Sequence, residues 1–351
     1  MQPLSPPPIR PMVRATGVTL AYPGGSTALD QLSVEVPAGS VGLVGANGAG
    51  KTTLFRLMLG LIHPTGGWLE VTGRNVAADP VGIRSRLGYM PEHDCLPLDQ
   101  SASDIVATFG ELAGLPPRAA RQRASDVLDL VGLDEARFRP VGGFSTGMRQ
   151  RTKLAQSLVA DPELVLLDEP TAGLDPLGRE EMLDLVSRLA GFGISVIFAT
   201  HLLDDVQRVC EHVVMIDRGR LVLAGPIEQL MQTTGVMRVE VGGREGAVTE
   251  LAAVLADRGL PAQAVDDHSV DVDTTGHGDA AFDAVRDVVA DLDLRLYALS
   301  TRHRSLDDLF LREASRNASA GRPVGNAVGN AVGGDGQASA APTVATRDAG
   351  R

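Results

Sequence analysis

Lysine is almost missing from this chain: among 351 residues only Lys51 and Lys153 carry an ε-ammonium, and arginine supplies the rest of the positive charge. Aromatic residues make up 3%, so any core has to rest on Leu, Val, Ile and Ala. The two cysteines, Cys95 and Cys210, lie far apart and lack metal-ligand spacing. Isolated thiols of this kind fit a reducing compartment and speak against a disulfide framework or a zinc site. No apolar run reaches the roughly eighteen residues that a membrane-spanning helix needs. The proline-rich start, Met1 to Pro11, has no apolar stretch of the signal-peptide kind. Positive charge is also scarce, with 32 Lys and Arg against 44 Asp and Glu and a net charge of −12. Nucleic-acid binding needs clustered cations to neutralise phosphates, so no nucleic-acid partner is expected. The expectation is a cytosolic polypeptide.

What remains is ample apolar material, 44% of the chain, enough for one large domain and a smaller one. Residues 1–12 read as a flexible Pro-rich arm, because Pro6-Pro7-Pro8 and Pro11 fix φ and withhold backbone donors. From Val13 to about residue 232, short apolar runs alternate with helical patterns. Ser40–Val44, Leu164–Leu167 and Ile194–Ala199 are unbroken apolar runs, as expected of strands covered on both faces, and a helix is expected over Lys51–Leu61. Strands alternating with helices predict an α/β sheet with parallel strands. A mostly helical stretch, about residues 99–160, reads as a subdomain inserted into it. Residues 236–313 form a second unit in the order strand, helix, strand, strand, helix, strand, which predicts a small α+β, ferredoxin-like split sheet. Its last helix is expected to start at Ser305, a capping residue followed by Asp307 and Asp308. Residues 314–351 turn to Gly, Ala, Ser and Asn, too little bulky apolar surface to offset ordering entropy, so a disordered tail is expected there.

The chemistry concentrates in two places. Gly45-Ala46-Asn47-Gly48-Ala49-Gly50-Lys51-Thr52-Thr53 matches G-x-x-x-x-G-K-[ST] and falls between an expected strand and an expected helix. Glycines let successive N–H groups converge on one anion, and the helix adds its positive end. Lys51 is then placed for the β- and γ-phosphates, and the Thr52 hydroxyl for Mg²⁺. The second place is the end of the run Leu164–Leu167, where Asp168-Glu169 follow. Ligands of open α/β sheets gather at the carboxyl ends of strands, so Asp168 suits a Mg²⁺ shell and Glu169 the polarisation of an attacking water. Taken alone, the same pair could equally be an acidic helix cap after a core strand. His201 stands at a further strand end, and a lone histidine there is as readily structural.

Together these residues fall into the order of a known family. Asp168 to Pro176 (DEPTAGLDP) resembles the Walker B and D-loop stretch of ABC ATPases, and Phe144 to Arg151 (FSTGMRQR) is similar to their signature motif. Leu87 to Glu92 (LGYMPE) is similar to the stretch ending in the Q-loop, Tyr22 matches the aromatic that stacks on adenine, and His201 matches the switch histidine. The resemblance covers about residues 13–230. It implies a P-loop NTPase of the ABC cassette type, with a mixed sheet and an inserted helical subdomain, that binds ATP with Mg²⁺ and hydrolyses it. It also implies a homodimer in which Ser145, Thr146 and Gly147 meet the γ-phosphate held by the other copy's phosphate loop, with Asp175 communicating across the interface. Metal ligands would be Thr52, Glu92 and Asp168; Glu169 and His201 would be catalytic. Two departures stand out. Glu92 occupies the usual Gln position and adds negative charge near the triphosphate; Thr146 and Met148 replace the usual Gly and Gln. The C-terminal unit resembles the accessory domain of many drug, antibiotic and polysaccharide exporter ATPases, and reads equally well as a generic appendage that stabilises a dimer. The leading expectation is the motor of a membrane exporter, working at the cytoplasmic side of the membrane on a separate multi-span permease. The competing one is a soluble ABC ATPase of translation or repair, or an ATP-binding regulator.

Overall fold

The computed structural model describes residues 11–231, 233–244, 246–274, 277 and 280–303. The arm at residues 1–10, the helix expected from Ser305 and the tail from Ala314 lie outside them. Along the chain, β1 (Val13–Ala21) and β2 (Thr27–Val36) form an antiparallel pair, followed by β3 (Ser40–Val44) and helix α1 (Lys51–Met58). Then come β4 (Gly66–Val71), β5 (Arg74–Asn75), α2 (Pro80–Arg84) and β6 (Leu87–Met90). Helices α3 (Ala102–Leu112), α4 (Pro117–Leu130) and α5 (Thr146–Leu158) follow without an intervening strand. The chain returns through β7 (Leu164–Asp168), α6 (Pro176–Gly191), β8 (Ser195–Thr200), α7 (Leu203–Val209), β9 (His212–Asp217), β10 (Arg220–Pro226) and α8 (Ile227–Leu230).

A six-stranded sheet of order β10-β9-β3-β8-β7-β6 organises this part. Its strands β9, β3, β8, β7 and β6 run parallel, and β10 closes one edge antiparallel. Side chains alternate between the faces of a strand, so an uninterrupted apolar run is stable only if both faces are covered. Both are. Leu43, Leu166, Ile197 and Val214 face one core with α1 and β1, while Val44, Leu167, Phe198 and Met215 face another built with α3, α5 and α6.

Two findings modify the sequence expectation. The first 75 residues contribute a separate antiparallel sheet, order β2-β1-β4-β5, which the apolar runs alone did not distinguish from the parallel strands. Its strand β1 alternates between buried and more exposed positions over much of its length, as a one-sided sheet requires. Helix α1 ends at Met58 rather than Leu61, because Gly60 takes φ +63° and the Leu61 N–H closes back on the Arg56 carbonyl at 2.9 Å. That glycine stop satisfies carbonyls that a longer helix would have paired.

The C-terminal unit holds β11 (Thr233–Gly242), α9 (Ala247–Asp257), β12 (Ala262–Ala264), β13 (Ser269–Asp273), α10 (Ala280–Asp291) and β14 (Arg295–His303). Its sheet has the order β12-β13-β11-β14 with every neighbour antiparallel. Met237, Val239, Val270 and Val272 pack against Leu251, Leu255, Val285 and Val288 of the two helices, a core of its own. Among the described residues no helix is long and apolar enough to cross a membrane.

Candidate functional site

The parallel register sets the site. Val44 pairs with Thr200, Asp168 with Ala199, and Leu167 with Met90. The residues that follow these strand ends, Gly45, His201, Glu169 and Glu92, therefore emerge along one edge of the sheet. The loop after β3 turns back on itself through Gly48 and Gly50, at φ +81° and +110°. A Cβ on Gly50 would also lie 2.8 Å from the Ala28 carbonyl oxygen, so neither the conformation nor the space admits a side chain there. Gly50 caps α1, whose first residues are Lys51, Thr52 and Thr53, leaving the helix's unpaired N–H groups at the loop. The cleft this forms is lined by Ala46, Asn47, Gly48, Lys51, Thr52, Thr53, Glu92, Asp168 and Glu169.

Lys51 is buried and its Nζ donates to the Gly45 carbonyl at 2.6 Å, with Glu169 Oε1 at 3.4 Å. Thr52 Oγ1 donates to Asp168 Oδ2 at 2.9 Å. Glu169 adopts a left-handed backbone, φ +48°, and its N–H donates to the Ala199 carbonyl at 2.9 Å. Its carboxylate accepts from Thr200 Oγ1 at 3.3 Å, and His201 Nδ1 lies 3.1 Å from both oxygens. The Asp168 carboxyl is held above its usual pKa mainly by burial; the Thr52 hydrogen bond opposes this, and the charges of Glu92 and Glu169 add to it. Among the described residues Asp168 Oδ1 is buried with no hydrogen-bond partner. An orphaned anionic oxygen beside a threonine hydroxyl and two further carboxylates fits a hard divalent cation. Three-membered clusters of His, Cys, Asp and Glu spaced for a metal are absent among the described residues. That is compatible with Mg²⁺, which keeps waters and takes phosphate oxygens in place of a full protein cage.

Other predicted residues are held apart from this cleft. Ser145, Thr146, Gly147 and Asp175 line a second hollow together with Gly173 and Leu177, and the two hollows share no lining residue. Ser145 caps α5, its Oγ accepting from the Met148 N–H at 3.3 Å, and Asp175 caps α6 in the same way from Gly178 at 2.8 Å. Tyr22 stands at the β1–β2 turn with 38% of its surface exposed, and does not line that cleft.

Three features escaped the sequence reading. Tyr89 O–H lies 3.5 Å from Asp168 Oδ2; burial, reinforced by the Asp168 charge, pushes its pKa up to about 12. Asp205 is 1% exposed; its carboxylate accepts from Thr171 Oγ1 at 2.9 Å and Arg179 Nε at 2.7 Å, tying the segment after Glu169 to α6 and α7. Lys153 is 1% exposed and points its Nζ at the Pro91, Glu92 and His93 carbonyls. The scarcity of lysine was the one signal that could have singled it out.

The family model described as ABC transporter matches residues 29–172. The daunorubicin resistance ATP-binding protein DrrA3 of Streptomyces coeruleorubidus is 34% identical over 290 residues, 82% of this chain and 91% of that protein. Nod factor export ATP-binding protein I of Ralstonia nicotianae is 36% identical over 251 residues, 71% of this chain and 78% of its own length. Among solved structures, cbiO1 from Clostridium perfringens, part of an ABC transporter complex, superposes with a TM-score of 0.58 at 27% identity, covering 63% of this chain and 90% of that one.

Proposed function

The chain belongs to the family of ABC transporter ATP-binding proteins, and from that premise we infer that it is the ATP-binding, ATP-hydrolysing motor of a membrane exporter that drives a separate permease. The relatives named for daunorubicin resistance and Nod factor export support export over a translation or repair role. The observation that carries the reading is the convergence of Lys51, Thr52, Asp168, Glu169 and His201 at one edge of the parallel sheet.

Each group has work suited to its surroundings. The N–H groups of the loop and α1 receive the β- and γ-phosphates, and Lys51 exchanges its Gly45 and Glu169 contacts for phosphate oxygens. That exchange frees the Glu169 carboxylate to orient water, with His201 beside it to hold the γ-phosphate side. Thr52, Asp168 and Glu92 would hold Mg²⁺, which supplies charge neutralisation at the phosphates. Tyr22 offers an exposed ring face to adenine. The anion-binding end of α5 at Ser145–Gly147 is open, so a second copy's bound ATP completes it, giving a two-fold dimer with nucleotide at the interface. The assembly would sit on the cytoplasmic face of the membrane through its permease, with the C-terminal unit as an accessory domain.

The test is steady-state phosphate release by the purified full chain in ATP and Mg²⁺. Lys51→Ala is expected to lower it by roughly 10²-fold or more, and undiminished turnover in that variant overturns the assignment.

A further inference from the structure

Lys153 sits on the third turn of α5, the helix that begins at the signature residues Ser145–Gly147. Its Nζ donates to three consecutive main-chain oxygens: Pro91 at 2.8 Å, Glu92 at 2.9 Å and His93 at 3.4 Å. An ammonium has three donors, so these carbonyls saturate it. One turn earlier on the same helix face, Arg149 Nη1 lies 3.5 Å from Asp94 Oδ2. The strap therefore joins the strand-end segment 91–94 to α5 at both main-chain and side-chain level. Burying an ammonium costs desolvation that an apolar side chain in the same place would avoid. Burial indeed pulls the Lys153 pKa below its ordinary value, against the charges of Cys95, Asp94, Glu92 and Asp168. Packing alone gives no reason for the charge; three converging carbonyls do.

The segment so held carries Glu92, whose side chain lines the phosphate cleft beside Thr52 and Asp168 and whose charge reaches Asp168. We propose that Lys153 is a positioning residue which fixes the Glu92 turn against the signature helix and so holds the Glu92 carboxylate at the metal side of the cleft. This rests on the ATPase reading above and adds to it a residue of α5 that holds a cleft residue in place through the main chain. Lys153 itself touches neither nucleotide nor water.

The test uses the full chain as wild type, Lys153→Met, Glu92→Ala and the double variant, with kcat, KM for ATP and the Mg²⁺ concentration for half-maximal rate. Lys153→Met is expected to lower kcat about ten-fold and raise the Mg²⁺ requirement about five-fold, with KM for ATP within about two-fold. The double variant should lose no more than Glu92→Ala alone, because the lysine acts through that carboxylate. Independent, multiplying losses in the double variant overturn the proposal, as does an unchanged kcat in Lys153→Met or a loss confined to KM. If Lys153→Met does not fold, Lys153→Arg is judged by the same criteria, since a planar guanidinium keeps the charge but cannot aim three donors down one cone. A wild type without ATPase activity would refute the underlying reading instead, so the two failures are distinguishable.

Discussion

At Glu169 backbone and side chain pull in different directions. A left-handed φ of +48° on a β-branch-free but non-glycine residue costs on the order of 1 kcal/mol. It is held there by the Ala199 carbonyl, Thr200, His201 and Lys51. Glu169→Gln keeps the shape and removes the charge. Phosphate release should fall roughly 10²-fold or more, and a dimer should accumulate on size exclusion in ATP and Mg²⁺; a variant that remains monomeric there counts against the paired-site model. Glu92→Gln keeps an oxygen ligand while removing one negative charge near the triphosphate, so phosphate release should rise or stay level. A collapse would mean the carboxylate itself is required. The convergence of Lys51, Thr52, Asp168 and Glu169 was legible because the phosphate-loop spacing and the end of the apolar strand put both pairs at carboxyl ends of parallel strands. Lys153, Tyr89 and Asp205 were not, since their partners are 60 to 62, 79 and 26 to 34 residues away in sequence and appear only once the chain is folded.

Among elements, the α5–β6 contact matters most. A Cβ on Gly88 would lie 2.1 Å from the Ser157 carbonyl oxygen, so the helix rests directly on the strand that leads to Glu92. Gly88→Ala should push α5 off β6 and lower unfolding free energy by about 2 kcal/mol in a denaturant titration. Asp205→Ala leaves Thr171 and the partly exposed Arg179 without their shared carboxylate. The expected loss is about 2 kcal/mol by the same titration, since solvent reaches the Arg179 left behind. Strands β3, β7 and β8 could be read from sequence because burial on both faces writes itself as an unbroken apolar run. Strands β1, β2 and β4 lean on long-range pairing with one another, so nothing local told them apart from the parallel set. The end of α1 was misread because Leu61 continues the apolar spacing past Gly60, and the glycine's backbone decided the matter.

For the whole molecule the N-terminal ends of α1 and α5 lie in separate hollows, as the proposed two-fold dimer requires. Gly147 offers a clean probe: a Cβ there meets only Leu174 Cδ2 at 3.8 Å and Ser145 Oγ at 4.0 Å, so folding tolerates a side chain. In the proposed dimer, Gly147→Glu would set a carboxylate against the partner's γ-phosphate. Dimer formation in ATP should disappear, while a single chain still takes up ATP with an affinity within about three-fold of wild type. Retained dimer by light scattering would remove the signature end of α5 from the interface.

Both lysines of the chain are enclosed, Lys51 in the cleft and Lys153 under the 91–93 turn. Amine-directed crosslinkers and lysine-specific proteases therefore find no lysine side chain exposed on the native fold. Modification of either lysine side chain reports an opening event: at Lys51 the breaking of its Gly45 and Glu169 contacts, at Lys153 a parting of α5 from the strand ends. Mass spectrometry of the two peptides would time these events separately, without any introduced label.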